Sequence, residues 1–147
     1  TMVQVINIYS PMDPEKVIEL LNVAYKAEKD NFEANNNLGT AYLMKGDYVN
    51  AILHYKNALE KNPKDIDVKN NLANTYLKNE EYDNAKVIYL ELLNADKKNW
   101  ECYLNLGKIY MQLKDDQNAL KMLLTLQKLN PDYKSAEVNS LIAVITG

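Results

Sequence analysis

Few residues of this chain have the type and spacing that enzyme chemistry requires. His54 is the only histidine, and no cysteine, serine or second histidine stands at a spacing that would pair with it. Cys102 is the only cysteine, so it cannot form an internal disulfide, and we expect a small core residue there. Metal centres and activated nucleophiles need several converging side chains. The sequence therefore predicts no catalytic residue, no metal and no cofactor, with His54 on the outer part of a helix.

Composition and charge exclude further classes of function. The formal net charge of -3 is mild, which argues against a nucleic-acid partner or an anionic membrane surface. No apolar run is long enough to cross a bilayer, and the first residues lack the basic start and long apolar stretch of a signal peptide. A cytoplasmic location is the default expectation, and a periplasmic one would require a signal segment upstream of this sequence.

A self-match with a period of 34 residues organises most of the chain. The string Leu-Gly-Thr-Ala-Tyr at 38–42 recurs in related form at 72–76 and 106–110. Further along each period, three more positions recur in register: Ala51, Ala85 and Ala119, then Tyr55, Tyr89 and Leu123, then Pro63, Lys97 and Pro131. A fixed period of this size indicates stacked structural repeats.

The spacing of these residues resembles that of the tetratricopeptide repeat family, with repeats at 32–65, 66–99 and 100–133. The resemblance implies an all-α fold, in which antiparallel helix pairs form a right-handed superhelical solenoid. We expect a single domain over 1–147, with a partial repeat at 1–31 and a C-terminal helix at 134–147. The resemblance also implies a non-enzymatic module that binds other proteins.

Turn and cap residues predict where the helices begin and end. Gly46 tolerates left-handed backbone, and Asp47 and Asp65 can cap the helices that follow them. Pro63 disfavours helix at the residue before it, whereas Lys97 replaces that proline and predicts a longer second helix in its repeat. One register holds only small residues, which we expect to let the first helix lie close to Ala51, Ala85 and Ala119 of the second: Gly39, Ala73 and Gly107.

Both ends of the chain continue the helical pattern. The helical pattern of residues 14–29 predicts a helix that Asp13 caps, and the same pattern at 135–145 predicts one more helix. The apolar residues Val3, Val5, Ile6 and Ile8 are either the remnant of a first helix or a short extended arm. The C-terminal helix is apolar over a wide sector, formed by Val138, Leu141, Ile142, Val144 and Ile145. A terminal helix normally has a polar outer face, so we expect a second copy or a further part of a longer chain to cover this one.

The family resemblance implies a concave groove lined by the first helix of each repeat. The matching positions, where we expect a peptide or partner segment to bind, are Asn36, Asn37, Thr40, Leu43, Asn70, Asn71, Asn74, Leu77, Asn105, Lys108 and Met111. Asn37, Asn71 and Asn105 share one register, and their carboxamides offer both donors and acceptors to a peptide backbone. Leu43, Leu77 and Met111 would accept apolar side chains or, alternatively, pack within the repeats. Asparagine is abundant in this chain, so composition alone would also place some in the groove.

Some members of the family bind the acidic carboxyl-terminal tail of chaperones through a clamp of lysine, asparagine and arginine residues. At the matching positions only Asn71 agrees, and Glu101 reverses the charge. The resemblance therefore favours a neutral or weakly basic peptide in this groove. Two alternatives remain open: self-association through the ends of the chain, and a chaperone for secreted subunits.

Overall fold

The computed structural model describes residues 13–147, and all regular structure in that range is helical. The predicted all-α fold class is therefore confirmed. The helices are α1 (Pro14–Ala27), α2 (Phe32–Lys45), α3 (Tyr48–Lys61), α4 (Ile66–Lys78), α5 (Tyr82–Ala95), α6 (Trp100–Gln112), α7 (Asp116–Leu129) and α8 (Ser135–Thr146). The expectations for Val3, Val5, Ile6 and Ile8 lie outside the described residues.

The predicted caps form as expected. The side chains of Asp13, Asp47 and Asp65 accept hydrogen bonds from backbone N–H groups in the first turns of α1, α3 and α4. The longer helix predicted from Lys97 is wrong, since α5 has 14 residues, as α3 does. Asp96 ends α5 because its backbone is extended and its carboxylate accepts from the backbone N–H of Lys98 at 2.9 Å.

One left-handed backbone position recurs with the period of the sequence repeat. Gly46 has φ of 86°, and the residues at the same register, Glu80 and Lys114, have φ of 61° and 63°. A side chain in this conformation places Cβ close to the following carbonyl oxygen, which only glycine avoids. A left-handed residue thus stands at the same register in each repeat, although only the first repeat has the glycine that suits it.

The described chain divides between Glu80 and Glu81 into two compact units. Unit 1 contains α1 to α4 and unit 2 contains α5 to α8. The division falls between the two helices of the predicted repeat 66–99. The single domain and the bounds of the repeats therefore stay predictions.

In unit 1, helices that follow one another in sequence pack together. Their buried apolar residues include Val17, Ile18 and Leu21 of α1, Leu38 and Ala41 of α2, and Ala51, Tyr55 and Ala58 of α3. A Cβ atom added to Gly39 would lie 2.7 Å from the Tyr55 ring, well inside van der Waals contact. The small residue of α2 therefore makes room for the Tyr55 ring, and the expected close approach to Ala51 stays a prediction.

Unit 2 repeats this arrangement with α6, α7 and α8. Its buried residues include Leu104, Leu106 and Ile109 of α6, Ala119, Leu123 and Leu126 of α7, and Val138 of α8. A Cβ atom at Gly107 would lie 2.7 Å from Cδ2 of Leu123, so here too the nearest neighbour is the large residue. Cys102 is buried as predicted, and burial raises the pKa of its thiol to about 12, which keeps it protonated and unreactive.

Candidate functional site

Unit 1 contains most of the residues predicted to line a groove, and the helices that carry them, α2 and α4, are in contact. Asn36, Thr40 and Leu43 of α2 are half-buried, as are the four groove residues of α4: Asn70, Asn71, Asn74 and Leu77. Asn37 differs, because its side chain lies in the interior and the residue is only 4% exposed. The expectation that the three asparagines in register lie outside the core is therefore wrong for Asn37.

Two adjacent carboxamides of α2 have buried atoms without a hydrogen-bond partner. They are Oδ1 of Asn36, an acceptor, and Nδ2 of Asn37, a donor, and no other buried side-chain nitrogen or oxygen among residues 13–147 lacks a partner. Leaving a buried donor or acceptor unpaired costs about 1–3 kcal/mol. This pair is therefore a local weakness in an otherwise satisfied unit.

The hydroxyl of Thr40, also predicted to face the groove, already has partners within unit 1. Its Oγ1 lies 3.1 Å from the backbone oxygen of Asn36 and 2.9 Å from the hydroxyl oxygen of Tyr55. Burial raises the pKa of Tyr55 to about 12, so this phenol stays neutral. Thr40 thus joins α2 to α3 and has less capacity to bind a ligand than the neighbouring asparagines.

In unit 2 the predicted groove residues have partners of their own. Asn105 hydrogen bonds to the hydroxyl of Tyr89, whose pKa burial raises. Lys108 forms an ion pair with Glu137 of α8, with Nζ and Oε1 2.6 Å apart. Met111 is half-buried. Lys108, a predicted groove residue, therefore helps to attach α8 to α6.

A second attachment of α8 involves Glu101, which reverses the charge of the family's acidic-tail clamp. Its carboxylate accepts hydrogen bonds from the Tyr133 hydroxyl and from Nζ of Lys134, the latter at 3.3 Å. Partial burial favours the neutral carboxyl, but these hydrogen bonds outweigh burial and hold the pKa of Glu101 below its ordinary value. The negative charge of Glu101 is thus partly neutralised within unit 2.

The prediction that His54 lies on the outside of a helix is wrong. The residue is 5% exposed, and its ring is stacked on Tyr42 with centroids 5.5 Å apart. The ring of Tyr25 lies nearly perpendicular to it, with centroids 4.9 Å apart, and Nδ1 lies 3.0 Å from Oδ1 of Asn35. Tyr25, Asn35, Tyr42 and His54, referred to below as the His54 cluster, connect α1, α2 and α3.

Asn35 determines the tautomer of His54. Its Nδ2 donates to two backbone oxygens, those of Lys29 at 2.8 Å and Asn31 at 3.0 Å, so Oδ1 is necessarily the acceptor. Nδ1 of His54 must therefore carry the hydrogen, and Nε2 is the unprotonated nitrogen. The sequence contained no signal for the contact between Asn35 and His54, which stand on different helices.

An open cleft of about 430 Å³ lies beside this cluster in unit 1. It is lined by Tyr25, Lys29, Asp30, Asn57, Glu60 and Lys61. Two of these charges already pair, since Nζ of Lys61 and Oδ2 of Asp30 are 3.4 Å apart. The lining carries as many lysines as carboxylates, so it does not select for ligands of one sign.

The described residues also bear on metal binding and on membrane-spanning helices. No group of three or more histidine, cysteine, aspartate or glutamate side chains within 13–147 is arranged to hold a metal ion. In the same range, no helix has the length and apolar character needed to cross a membrane.

Comparison with known proteins agrees with this architecture. The MamA fragment 41-end from Desulfovibrio magneticus RS-1 has a TM-score of 0.85 at 17% identity, covering 98% of this chain and 81% of its own. A tetratricopeptide repeat protein from Parabacteroides merdae has a TM-score of 0.83 at 22% identity, covering 98% and 57%. The hetero-tetramer Cut9-Hcn1 gives 0.71 at 21% identity, covering 90% of this chain and 27% of that one. No curated protein matches this chain in sequence.

These likenesses are below 25% identity and demonstrate the fold alone. The family model described as tetratricopeptide repeat matches residues 42–98 and 78–145, which together include most of the chain. Proteins with these repeats are in general non-enzymatic modules that bind other proteins. The helix pairs, their period of 34 residues and the matched model together show that this chain belongs to the tetratricopeptide repeat family.

Proposed function

We propose that this chain binds an extended peptide segment of a partner protein on the α2 and α4 side of unit 1. The observation that carries the proposal is the unpaired acceptor and donor on Asn36 and Asn37. Each non-proline residue of a peptide presents one backbone N–H and one C=O, which is the complement of this pair. Binding would satisfy both atoms and recover the free energy that they cost the free protein.

The neighbouring residues suit such a ligand. Asn36 is only half-buried, so its side chain can turn outward and open the way to Asn37. Asn70, Asn71 and Asn74 of α4 supply further carboxamides, and Leu43 and Leu77 supply apolar contacts for alternate side chains of an extended segment. Backbone recognition of this kind is tolerant of sequence.

Unit 2 offers less for the same role, because Asn105 and Lys108 already bind within the unit. The residues predicted to line the groove of unit 1 carry no cation, and the first turns of α2 and α4 each carry a carboxylate, Glu33 and Asp67. The preferred ligand is therefore neutral or weakly basic, since an acidic segment would meet like charges.

The test is Asn37→Leu, because it separates binding from folding. Removing a buried, unpaired amide in favour of an apolar side chain should leave the free energy of unfolding unchanged or raise it by about 1 kcal/mol. The same change should abolish the capture of peptides that the wild type selects from a random library displayed on phage. Gain of stability with loss of binding is typical of a residue retained for its ligand.

Asn94→Ala is the matched control, because Asn94 is exposed on α5 and lies outside the predicted groove. It should change neither stability nor peptide capture. The proposal fails if Asn37→Leu lowers the melting temperature, since the amide would then be structural. It also fails if the folded variant selects and binds the same peptides as the wild type.

Self-association through the ends is a second candidate, and the surface of α8 favours it. Only Val138 of this helix is buried, while Val144 is 69% exposed and three further apolar residues are half-buried: Leu141, Ile142 and Ile145. Light scattering over a range of concentrations tests this candidate. A concentration-dependent mass that Leu141→Glu with Ile145→Glu removes would support it, and a monomeric wild type would exclude it.

A further inference from the structure

The His54 cluster has two properties that set it apart from the rest of the unit 1 core. It contains the only histidine of the chain, and its side chains connect α1, the α1–α2 turn, α2 and α3. Asn35 is fully buried, and the carbonyl oxygen of Lys29 that it binds belongs to the α1–α2 turn. Besides the apolar contacts of Val17, Ile18 and Leu21, the attachment of α1 and its turn thus includes contacts of the imidazole and of its partner Asn35.

We propose that the His54 cluster is a pH-sensitive switch, in which acidification loosens α1 and the α1–α2 turn from α2 and α3. The neutral ring fits the cluster because Nδ1–H donates to Oδ1 of Asn35. Protonation adds a hydrogen at Nε2 and a positive charge in a space 5% open to solvent. A buried charge without a carboxylate partner is strongly unfavourable, so the folded unit resists this protonation.

The charges around the cluster do not compensate the added proton. Besides His54, the titratable groups on the surrounding elements are Glu15, Lys16, Glu19, Tyr25 and Lys26 of α1, Glu28, Lys29 and Asp30 of the turn, Glu33, Tyr42 and Lys45 of α2, Tyr48, Tyr55, Lys56, Glu60 and Lys61 of α3, and Asp67, Lys69, Tyr76 and Lys78 of α4. Burial is nevertheless the sole cause of the lowered pKa of His54, and no carboxylate raises it. Stacking on Tyr42 favours an imidazolium through the electron-rich face of the ring, but the lowered pKa indicates that the cost of burial is larger.

The sign of the pH dependence follows from the lowered pKa. Above the ordinary histidine value of 6.5 the ring is neutral in both folded and unfolded chains, and the cluster contributes fully to stability. As the pH falls through that value the unfolded chain takes up a proton that the folded unit does not, so stability is lost. Each unit by which the folded pKa lies below 6.5 allows up to about a tenfold rise in the opening equilibrium.

Nuclear magnetic resonance tests the chemistry directly, because a single histidine makes its signals unambiguous. The nitrogen shifts of wild-type protein should show the Nδ1–H tautomer, and the ring should titrate below the ordinary histidine range. Finding the Nε2–H tautomer, or titration at or above that range, would overturn the proposal even if no variant could be prepared.

Hydrogen exchange tests the structural consequence. After correction for the intrinsic rate, amides of α1 should exchange several-fold faster at about pH 5.5 than at about pH 7.5, whereas those of α6 in unit 2 should not. His54→Gln, which keeps an N–H donor for Asn35 but does not titrate, should remove the difference. Equal α1 exchange at both values in the wild type, or an unchanged difference in the variant, would refute the switch.

Discussion

Replacing Gly107 by alanine is the sharpest test of how the two helices of a repeat pack. The added methyl carbon would lie 2.7 Å from Cδ2 and 2.8 Å from Cγ of Leu123, where carbon atoms normally stay about 3.5–4.0 Å apart. Leu123 is fully buried, so it has no open space to move into. We therefore expect a steric cost of about 1–3 kcal/mol, as for other overpacked cores.

A second effect acts in the opposite direction. Alanine is about 0.8–1.0 kcal/mol more favourable than glycine within a helix. The net loss in free energy of unfolding should therefore be about 1 kcal/mol. Because the two effects oppose each other, the single variant alone does not measure the steric term.

A double-mutant cycle separates them. Leu123→Ala removes the atoms that the new methyl group would meet, so in that background Gly107→Ala should stabilise the protein by about 1 kcal/mol through helix propensity alone. Trp100 is the only tryptophan and begins α6, so its fluorescence during urea unfolding reports on unit 2. An equal effect of Gly107→Ala in both backgrounds would refute the proposed contact.

Two further predictions concern local features of the repeats. Lys114→Gly should raise the free energy of unfolding by about 0.5–1 kcal/mol in urea titrations, because glycine adopts the left-handed backbone of this turn without strain. Gly46→Ala should lower the free energy of unfolding for the same reason. A change of the same sign in both variants would contradict this reasoning. The Lys108–Glu137 pair is partly exposed, so a double-mutant cycle to alanine should give a coupling free energy below about 1 kcal/mol, which high salt should remove. A larger or salt-independent coupling would show that the pair is more important for the attachment of α8 than its exposure indicates.

Helix positions and caps were predictable because they depend on residues close in sequence. Asp47 accepts from the N–H of Asn50, three residues later, and Gly46 needs only its own backbone freedom. The exception, Lys97, shows the limit of this reasoning. The absence of proline permitted a longer α5, but the neighbouring Asp96 formed a local turn that ended it.

The candidate site was predicted less completely, because the register of a helix indicates which side a residue faces but not what lies opposite. Asn37 and Asn71 occupy the same position of successive repeats, yet Asn37 is buried and Asn71 is half-buried. Their surroundings differ because, within unit 1, α2 contacts α1, α3 and α4, whereas α4 contacts α2 and α3. Whether these residues bind a peptide stays a prediction.

The sequence by itself determined the family, the all-α fold and the order of helices, since a repeated pattern of apolar residues and caps specifies local structure wherever it occurs. Only the tertiary structure decided which side chains meet. Asn35 and His54 are 19 residues apart on different helices, and their contact depends on the distance and rotation between those helices. Burial and hydrogen bonding follow from that geometry, so the unpaired atoms of Asn36 and Asn37 and the neutral tautomer of His54 could not be inferred from residue spacing.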